Sequence, residues 1–439
     1  MNKKSILLGL GITLSFSLLV SCNSTQKTYG EGLVSVVSQN VVKIAGNSAI
    51  SNVNFDRVKD KKVLIELTGF VEQRTKGFIE NLVSSNAENI GAKLIRSGHK
   101  VKTIILTKGI SSRNSEVIHS GLYYPEKSLK TKHCTRGRQL LYDFCKKHNI
   151  WHRMCGKIII GKKGQEEDIH SLHDKALNNS IPDVSLLSSY KISSIEPHIS
   201  AELGLYVGCS GIISSHHLME AFFTISKNHD HDYLFMTSVV DIDILNSGYK
   251  LSLNNPNGEL ETVTSNWVIN ASGLASDIVA NFLGDGYIFP EITFSKGCYF
   301  KLSSEWKGKF KHLVYPIPDK LSDSLGIHLS FNSDEQIKIG PNAIWLNDKE
   351  EDYNVDSHLL DDFYDQCSTY IKGLKKSHLS PDYSGIRPKI RSANSKFSDF
   401  HISDEQIHGL PGFINLIGID SPGLTSAISI GKDISKMIT

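Results

Sequence analysis

The sequence has no cysteine pair at CxxC spacing, no marked excess of either charge, and no apolar run long enough for a permanent transmembrane helix. Its seven cysteines, Cys22, Cys134, Cys145, Cys155, Cys209, Cys298 and Cys367, are scattered through 439 residues. That spacing excludes a disulfide framework or a cysteine zinc site, and beyond Cys22 it reads as buried, reduced thiols. With 48 Lys and Arg against 46 Asp and Glu, no summed field marks the surface for nucleic acid or for an anionic membrane. A small-molecule partner is expected instead. Internal repeats and low-complexity blocks are absent too. What is present is an ordinary apolar fraction of 40%, in a chain long enough for two or three domains.

The first 22 residues differ from the rest. Lys3 and Lys4 form a charged start, residues 6 to 20 form an apolar stretch, and Leu19-Val20-Ser21-Cys22 follows. The stretch is shorter than the ~20 residues of a spanning helix. Its order is that of a secretory signal, and its last four residues resemble the lipobox of bacterial lipoproteins, whose cysteine is lipidated. Residues 1–22 are therefore expected to be a signal. Cys22 would hold the mature chain on the cell membrane or outer membrane. Residues 23–60 read as a polar tether and an uncertain segment.

Further on, the pattern is regular. Apolar runs at 63–67 and 102–106 suit strands, and an amphipathic stretch with Ile79, Leu82, Val83, Ala87, Ile90 and Leu94 on one face lies between them. Strand, helix, strand opens a doubly wound parallel sheet. A helix is predicted over residues 128 to 148, ended by Asn149. Alternation at Tyr249, Leu251 and Leu253 with Asn257-Gly258 predicts an antiparallel hairpin. Trp267 to Gly273 reads as a buried strand ending in a tight turn before a helix over 278–283, and residues 292 to 344 are strand-rich, broken by Pro316, Pro318 and Pro341. The expected class is mixed α/β, with a parallel unit, an inserted mixed sheet and a return to α/β.

One stretch carries more information than any other: Ser112-Arg113-Asn114-Ser115-Glu116-Val117-Ile118-His119-Ser120-Gly121-Leu122-Tyr123-Tyr124. It resembles the signature loop of the L-2-hydroxyglutarate dehydrogenase family among the D-amino-acid-oxidase-like flavoproteins. Collinear blocks extend the resemblance over residues 111 to 438. They include Cys155-Gly156-Lys157, Asn270-Ala271-Ser272-Gly273-Leu274, Tyr315-Pro316-Ile317-Pro318-Asp319, Gly326-Ile327-His328-Leu329, Ser384-Gly385-Ile386-Arg387-Pro388 and Ser421-Pro422-Gly423-Leu424-Thr425. The resemblance implies a Rossmann-like FAD-binding domain, degenerate at its N-terminus. It would be built from residues 61–205, 266–289 and 376–439, with a mixed or antiparallel substrate domain from 206–265 and 290–375.

It also implies hydride transfer from a small 2-hydroxy acid, such as L-2-hydroxyglutarate, to flavin N5, and an electron acceptor that the sequence does not name. A flavin needs positive partial charge at its N1/C2 edge, and the turn at Gly423 and Leu424 opening a helix at Thr425 would present backbone N–H groups there. Ser112, Asn114 and Ser115 would donate to the ring or ribityl chain, and Gly121, Gly273 and Gly385 would let backbone approach the cofactor. Arg387 has the fork to clamp a carboxylate. His119 and His328 are the candidate bases, since imidazole accepts a proton at neutral pH.

The resemblance fails at one place. Where the family has a GxGxxG loop for the FAD pyrophosphate, this chain has Leu67-Thr68-Gly69-Phe70-Val71-Glu72-Gln73-Arg74, and Leu106-Thr107-Lys108 stands where an acidic residue should meet the ribose. Three readings remain open: an unrelated lipoprotein segment fused to a truncated oxidoreductase, a Rossmann unit holding FAD weakly through other contacts, or an inactive relative binding something else. Oxidation of an amino acid is the nearest enzymatic rival. Little or no FAD is expected in the purified protein.

Overall fold

The structure is a computed structural model. It describes residues 109–229, 232–317, 326–390 and 397–438, and the backbone of six strands before residue 108. Strands stand at Lys62–Ile65 and Lys102–Thr107, as the apolar runs predict, and both pair antiparallel with Leu14–Leu19 between them. Cys22, the amphipathic stretch around 79–94 and the segment 67–74 lie outside the described residues.

In chain order the elements that position the site are α1 (Leu129–Lys147), the strands β1 (Lys157–Gly161), β2 (Leu203–Val207), β3 (Val268–Asn270), β4 (Ile292–Leu302), β5 (Leu313–Pro316), β6 (Leu329–Phe331), β7 (Ile337–Ile339), β8 (Leu379–Ile390) and β9 (Phe413–Ile417), and α2 (Gly423–Ile438). The helix α1 falls where periodicity predicts it. Ser128 caps it by accepting from the Thr131 amide at 3.1 Å, and Asn149 ends it in the left-handed region with φ 54°. The predicted hairpin forms between Tyr249–Asn254 and Leu260–Ser265, with Gly258 at φ 81° in its turn.

Two halves share the chain. In one, β3 and β9 run parallel and α2 packs on them through Ile430 and Ile434. In the other, β2, β1, β5, β6, β7 and β4 lie side by side in a nine-stranded sheet, with β8 antiparallel to β4 over its whole length. β1 is central because three consecutive isoleucines, Ile158 to Ile160, are buried on both faces, as only an interior strand permits. The strand pairing cuts across the expected boundaries: β1, expected in the cofactor half, β2, which straddles the expected boundary at 205/206, and β8, expected in the returning α/β unit, all pair within the large sheet. Conversely, the hairpin expected in the substrate half packs Leu251 and Leu253 against Val268 and Phe413 of the cofactor half. Among the described residues, no helix is long and apolar enough to cross a membrane and no cluster of metal ligands occurs.

Candidate active site

The signature loop is built by its own polar side chains. Asn114 accepts from the Glu116 amide at 2.7 Å and donates to the Ser111 carbonyl at 2.8 Å, while Ser112 donates to the Gly109 carbonyl at 3.0 Å. Their donors thus serve the turn rather than pointing at a ligand. Glu116 sits at φ 58°, a conformation that costs a non-glycine residue energy. It is held there because its carboxylate accepts from Lys338 of β7 at 2.9 Å and from the Ser215 amide at 3.1 Å. Ser115 alone of the three reaches across to the large sheet, at 3.0 Å from the Tyr299 hydroxyl.

The loop leads into Val117–Ile118 and then His119, whose amide donates to Thr425 Oγ1 at 3.1 Å. Its ring Nε2 lies 3.4 Å from Ser421 Oγ. This ties the histidine to the N-terminus of α2. There Gly423 donates to the Asp420 carbonyl, and the Leu424 and Thr425 amides, as first-turn donors of a helix, have no backbone acceptor among the described residues. Leu424 packs beside Ile213 and Leu218. Close packing of α1 on α2 fixes the position, since a Cβ on Gly137 would overlap the Thr425 carbonyl.

The large sheet supplies the rest. His328 is buried, donates from Nδ1 to the Gly326 carbonyl at 3.0 Å and stacks on Tyr315 with ring centroids 3.8 Å apart. Donation to a carbonyl fixes its tautomer and leaves the lone pair on Nε2. Arg387 on β8 donates to the Asn342 carbonyl at 3.2 Å and lies 3.5 Å from Ser295 Oγ. Gly297 makes room for it, because a Cβ there would touch the guanidinium. Among the described residues no carboxylate pairs with Arg387.

These groups act on one another. Burial, with Lys157 and His328 adding to it, holds the His119 imidazole at about 3. Burial likewise holds His328 at about 3, against the Gly326 hydrogen bond and with Lys157 and Arg387 contributing. Both rings are therefore neutral at neutral pH. Lys157, on β1, is fully buried with its ammonium 4.5 Å from the Tyr315 ring centroid, and burial lowers it to about 8. The structure thus brings His119, His328 and Arg387 into one electrostatic neighbourhood, and adds Lys157, which the sequence placed in the Cys155-Gly156-Lys157 block without a role in the site. A lysine opening a run of three isoleucines was the available signal.

Other predicted cofactor residues have structural duties. Gly121, at φ 100°, packs on Thr135 of α1, and Gly385 lets β8 approach the Arg113 carbonyl. Gly273, at φ 63°, turns the chain after β3 and accepts from Ser276.

The family model for FAD dependent oxidoreductases matches residues 98–437. The chain belongs to that family. It is 31% identical over 364 residues to the mitochondrial L-2-hydroxyglutarate dehydrogenase of Arabidopsis thaliana, covering 74% of this chain and 75% of that one. The L-2-hydroxyglutarate dehydrogenase of Escherichia coli is 28% identical, covering 75% and 83%. In fold the chain is similar to the FAD-bound L-α-glycerophosphate oxidase of Mycoplasma pneumoniae, with a TM-score of 0.67 at 22% identity, over 75% of this chain and 85% of that one. FAD is the cofactor of this family member. The described residues fit its ring: the α2 N-terminus offers donors, and the buried hydroxyls of Ser120 and Ser426, the residues that follow the hydrogen-bonded pair His119 and Thr425, have no hydrogen-bond partner.

Proposed function

We propose that this flavoprotein oxidises a small 2-hydroxy acid of the L-2-hydroxyglutarate type. The observation that carries the reading is Arg387, a half-buried guanidinium with no carboxylate partner among the described residues, held by the Asn342 carbonyl two residues from Gly340, whose amide donates to the carbonyl of the neutral, tautomer-fixed His328. A planar fork of donors matches a carboxylate in two bonds. With the substrate held there, a neutral imidazole accepts the C2 hydroxyl proton, and bound FAD supplies the hydride acceptor for C2–H. Both relatives at about 30% identity are L-2-hydroxyglutarate dehydrogenases by name, which favours this substrate over an amino acid.

Anaerobic mixing of the FAD-loaded protein with L-2-hydroxyglutarate, its D-enantiomer and glycine tests the reading. Bleaching of the flavin band is expected with the L-hydroxy acid alone. Bleaching by glycine instead would sink it.

The order of residues 1–22 supports a second part of the proposal, that the protein is anchored to a bacterial membrane through lipid on Cys22.

A further inference from the structure

Lys157 carries a charge into the interior without a hydrogen bond to satisfy it. Its side chain is fully buried in the middle of the nine-stranded sheet, and Nζ has no hydrogen-bond partner. The ammonium lies over two aromatic faces, 4.9 Å from the Tyr123 centroid and 4.5 Å from that of Tyr315. Both phenol hydroxyls are themselves buried without a partner, and the two rings share the one ammonium. Buried polar atoms are normally paired, so three orphans in one place call for a missing partner. All three are donors at neutral pH. What they lack is therefore an acceptor, and an ammonium among them calls for an anionic one.

The position relates this group to Arg387. Tyr315 stacks on His328, and the His328 carbonyl accepts from the Gly340 amide at 2.8 Å, two residues before Asn342, whose carbonyl accepts from Arg387. One chain of contacts thus joins the two cations, neither of them with a carboxylate partner among the described residues. A ligand with a single carboxylate satisfies only one of them.

Building on the 2-hydroxy acid reading, we infer that Lys157, with the Tyr123 and Tyr315 hydroxyls, receives the distal carboxylate of a dicarboxylate substrate while Arg387 holds the one next to the reacting carbon. Lys157 is then the residue that selects a hydroxydicarboxylate over a hydroxymonocarboxylate of the same length. Discrimination of this kind is large, because a substrate lacking the group leaves buried charge unpaired.

The test compares L-2-hydroxyglutarate with L-2-hydroxyvalerate, which ends in a methyl group, in FAD-loaded wild type and Lys157→Met. Wild type is expected to prefer the dicarboxylate in kcat/KM by about a hundredfold or more, and the variant to lose that preference mainly through KM. Glutarate, which has both carboxylates but no oxidisable hydroxyl, should raise the melting temperature of wild type and not of the variant, whereas valerate should shift neither. Should Lys157→Met not fold, Lys157→Gln and the glutarate-against-valerate comparison on wild type decide the matter. An equal fall for both substrates, an unchanged ratio, or equal stabilisation by glutarate and valerate overturns the assignment. Wild type that oxidises neither hydroxy acid but is stabilised by glutarate refutes the proposed reaction and leaves the Lys157 subsite standing.

Discussion

A guanidinium half removed from water without a counter-charge is costly unless a ligand supplies one. On this ground Arg387→Lys should lower kcat/KM by about a hundredfold, because a point charge replaces a bidentate fork and misplaces the substrate. Steady-state kinetics on the FAD-loaded variant checks it, and a change below threefold would remove Arg387 from the carboxylate site. The two histidines make a sharper prediction. Burial holds each at about 3, so each stays in its proton-accepting form as pH falls through the ordinary histidine range. The kcat/KM profile, which reports the free enzyme, should therefore be flat from about pH 7 down to about 5. Bound carboxylates add negative charge beside His328 and raise its value, so the acidic limb of kcat should lie higher than that of kcat/KM. His119→Ala and His328→Ala separate the candidates: the one that abolishes the limb is the base. Arg387, His119 and His328 could be singled out in the sequence because they stand in motifs. The side chains of Ser112 and Asn114 hydrogen-bond within their own loop, a use the sequence does not show because a short polar side chain there closes its own turn as readily as it meets a ligand.

Elements that depend on local chemistry were readable in advance, and those that depend on distant partners were not. Ser128 as a cap and Asn149 as a left-handed stop bound α1 within its own sequence, and Asn257-Gly258 closes the hairpin within four residues of each strand. The place of β1 in the large sheet was not readable because a run of isoleucines buried on both faces suits any interior strand, and its neighbours β2 and β5 come from far along the chain. The contact of α1 with α2 is a case in which packing reaches the chemistry. A Cβ at Gly137 would overlap the Thr425 carbonyl and crowd the Ser426 Cα, and Thr425 in turn holds the His119 amide. Gly137→Ala should therefore destabilise the fold by ~2 kcal/mol through overpacking. It should also displace the α2 N-terminus, so flavin affinity falls along with the melting temperature. A variant that melts earlier while binding FAD as tightly as wild type would show that this junction does not bear on the cofactor.

Across the whole molecule, the unresolved tension lies between a family that binds FAD and a first segment that lacks the family's means of doing so. The first 22 residues pose a smaller version of it, since Leu14–Leu19 pairs with Lys102–Thr107, and cleavage ahead of Cys22 would remove that strand. Intact mass of the membrane-extracted protein decides this: a lipidated chain beginning at Cys22 is expected, and an unlipidated chain beginning at Met1 refutes the anchor. For the cofactor, the pyrophosphate carries two charges that the family meets with glycine-exposed amides at a helix N-terminus. In this chain Phe70, Val71 and Glu72 follow Gly69, and Lys108 follows Thr107 where an acidic acceptor for the ribose belongs. Each charge-assisted hydrogen bond lost is worth roughly 1.5–3 kcal/mol, so a few together weaken binding by several powers of ten. The purified protein should therefore hold far less than one FAD per chain, yet take it up at high added concentration, because the α2 N-terminus is intact. Grafting a GxGxxG loop after Leu67 together with Thr107→Glu should raise the occupancy, read as the ratio of flavin to protein absorbance. Full occupancy in the unaltered chain would overturn this and direct attention to Arg74, the cation nearest the replaced loop, as the group that holds the phosphates.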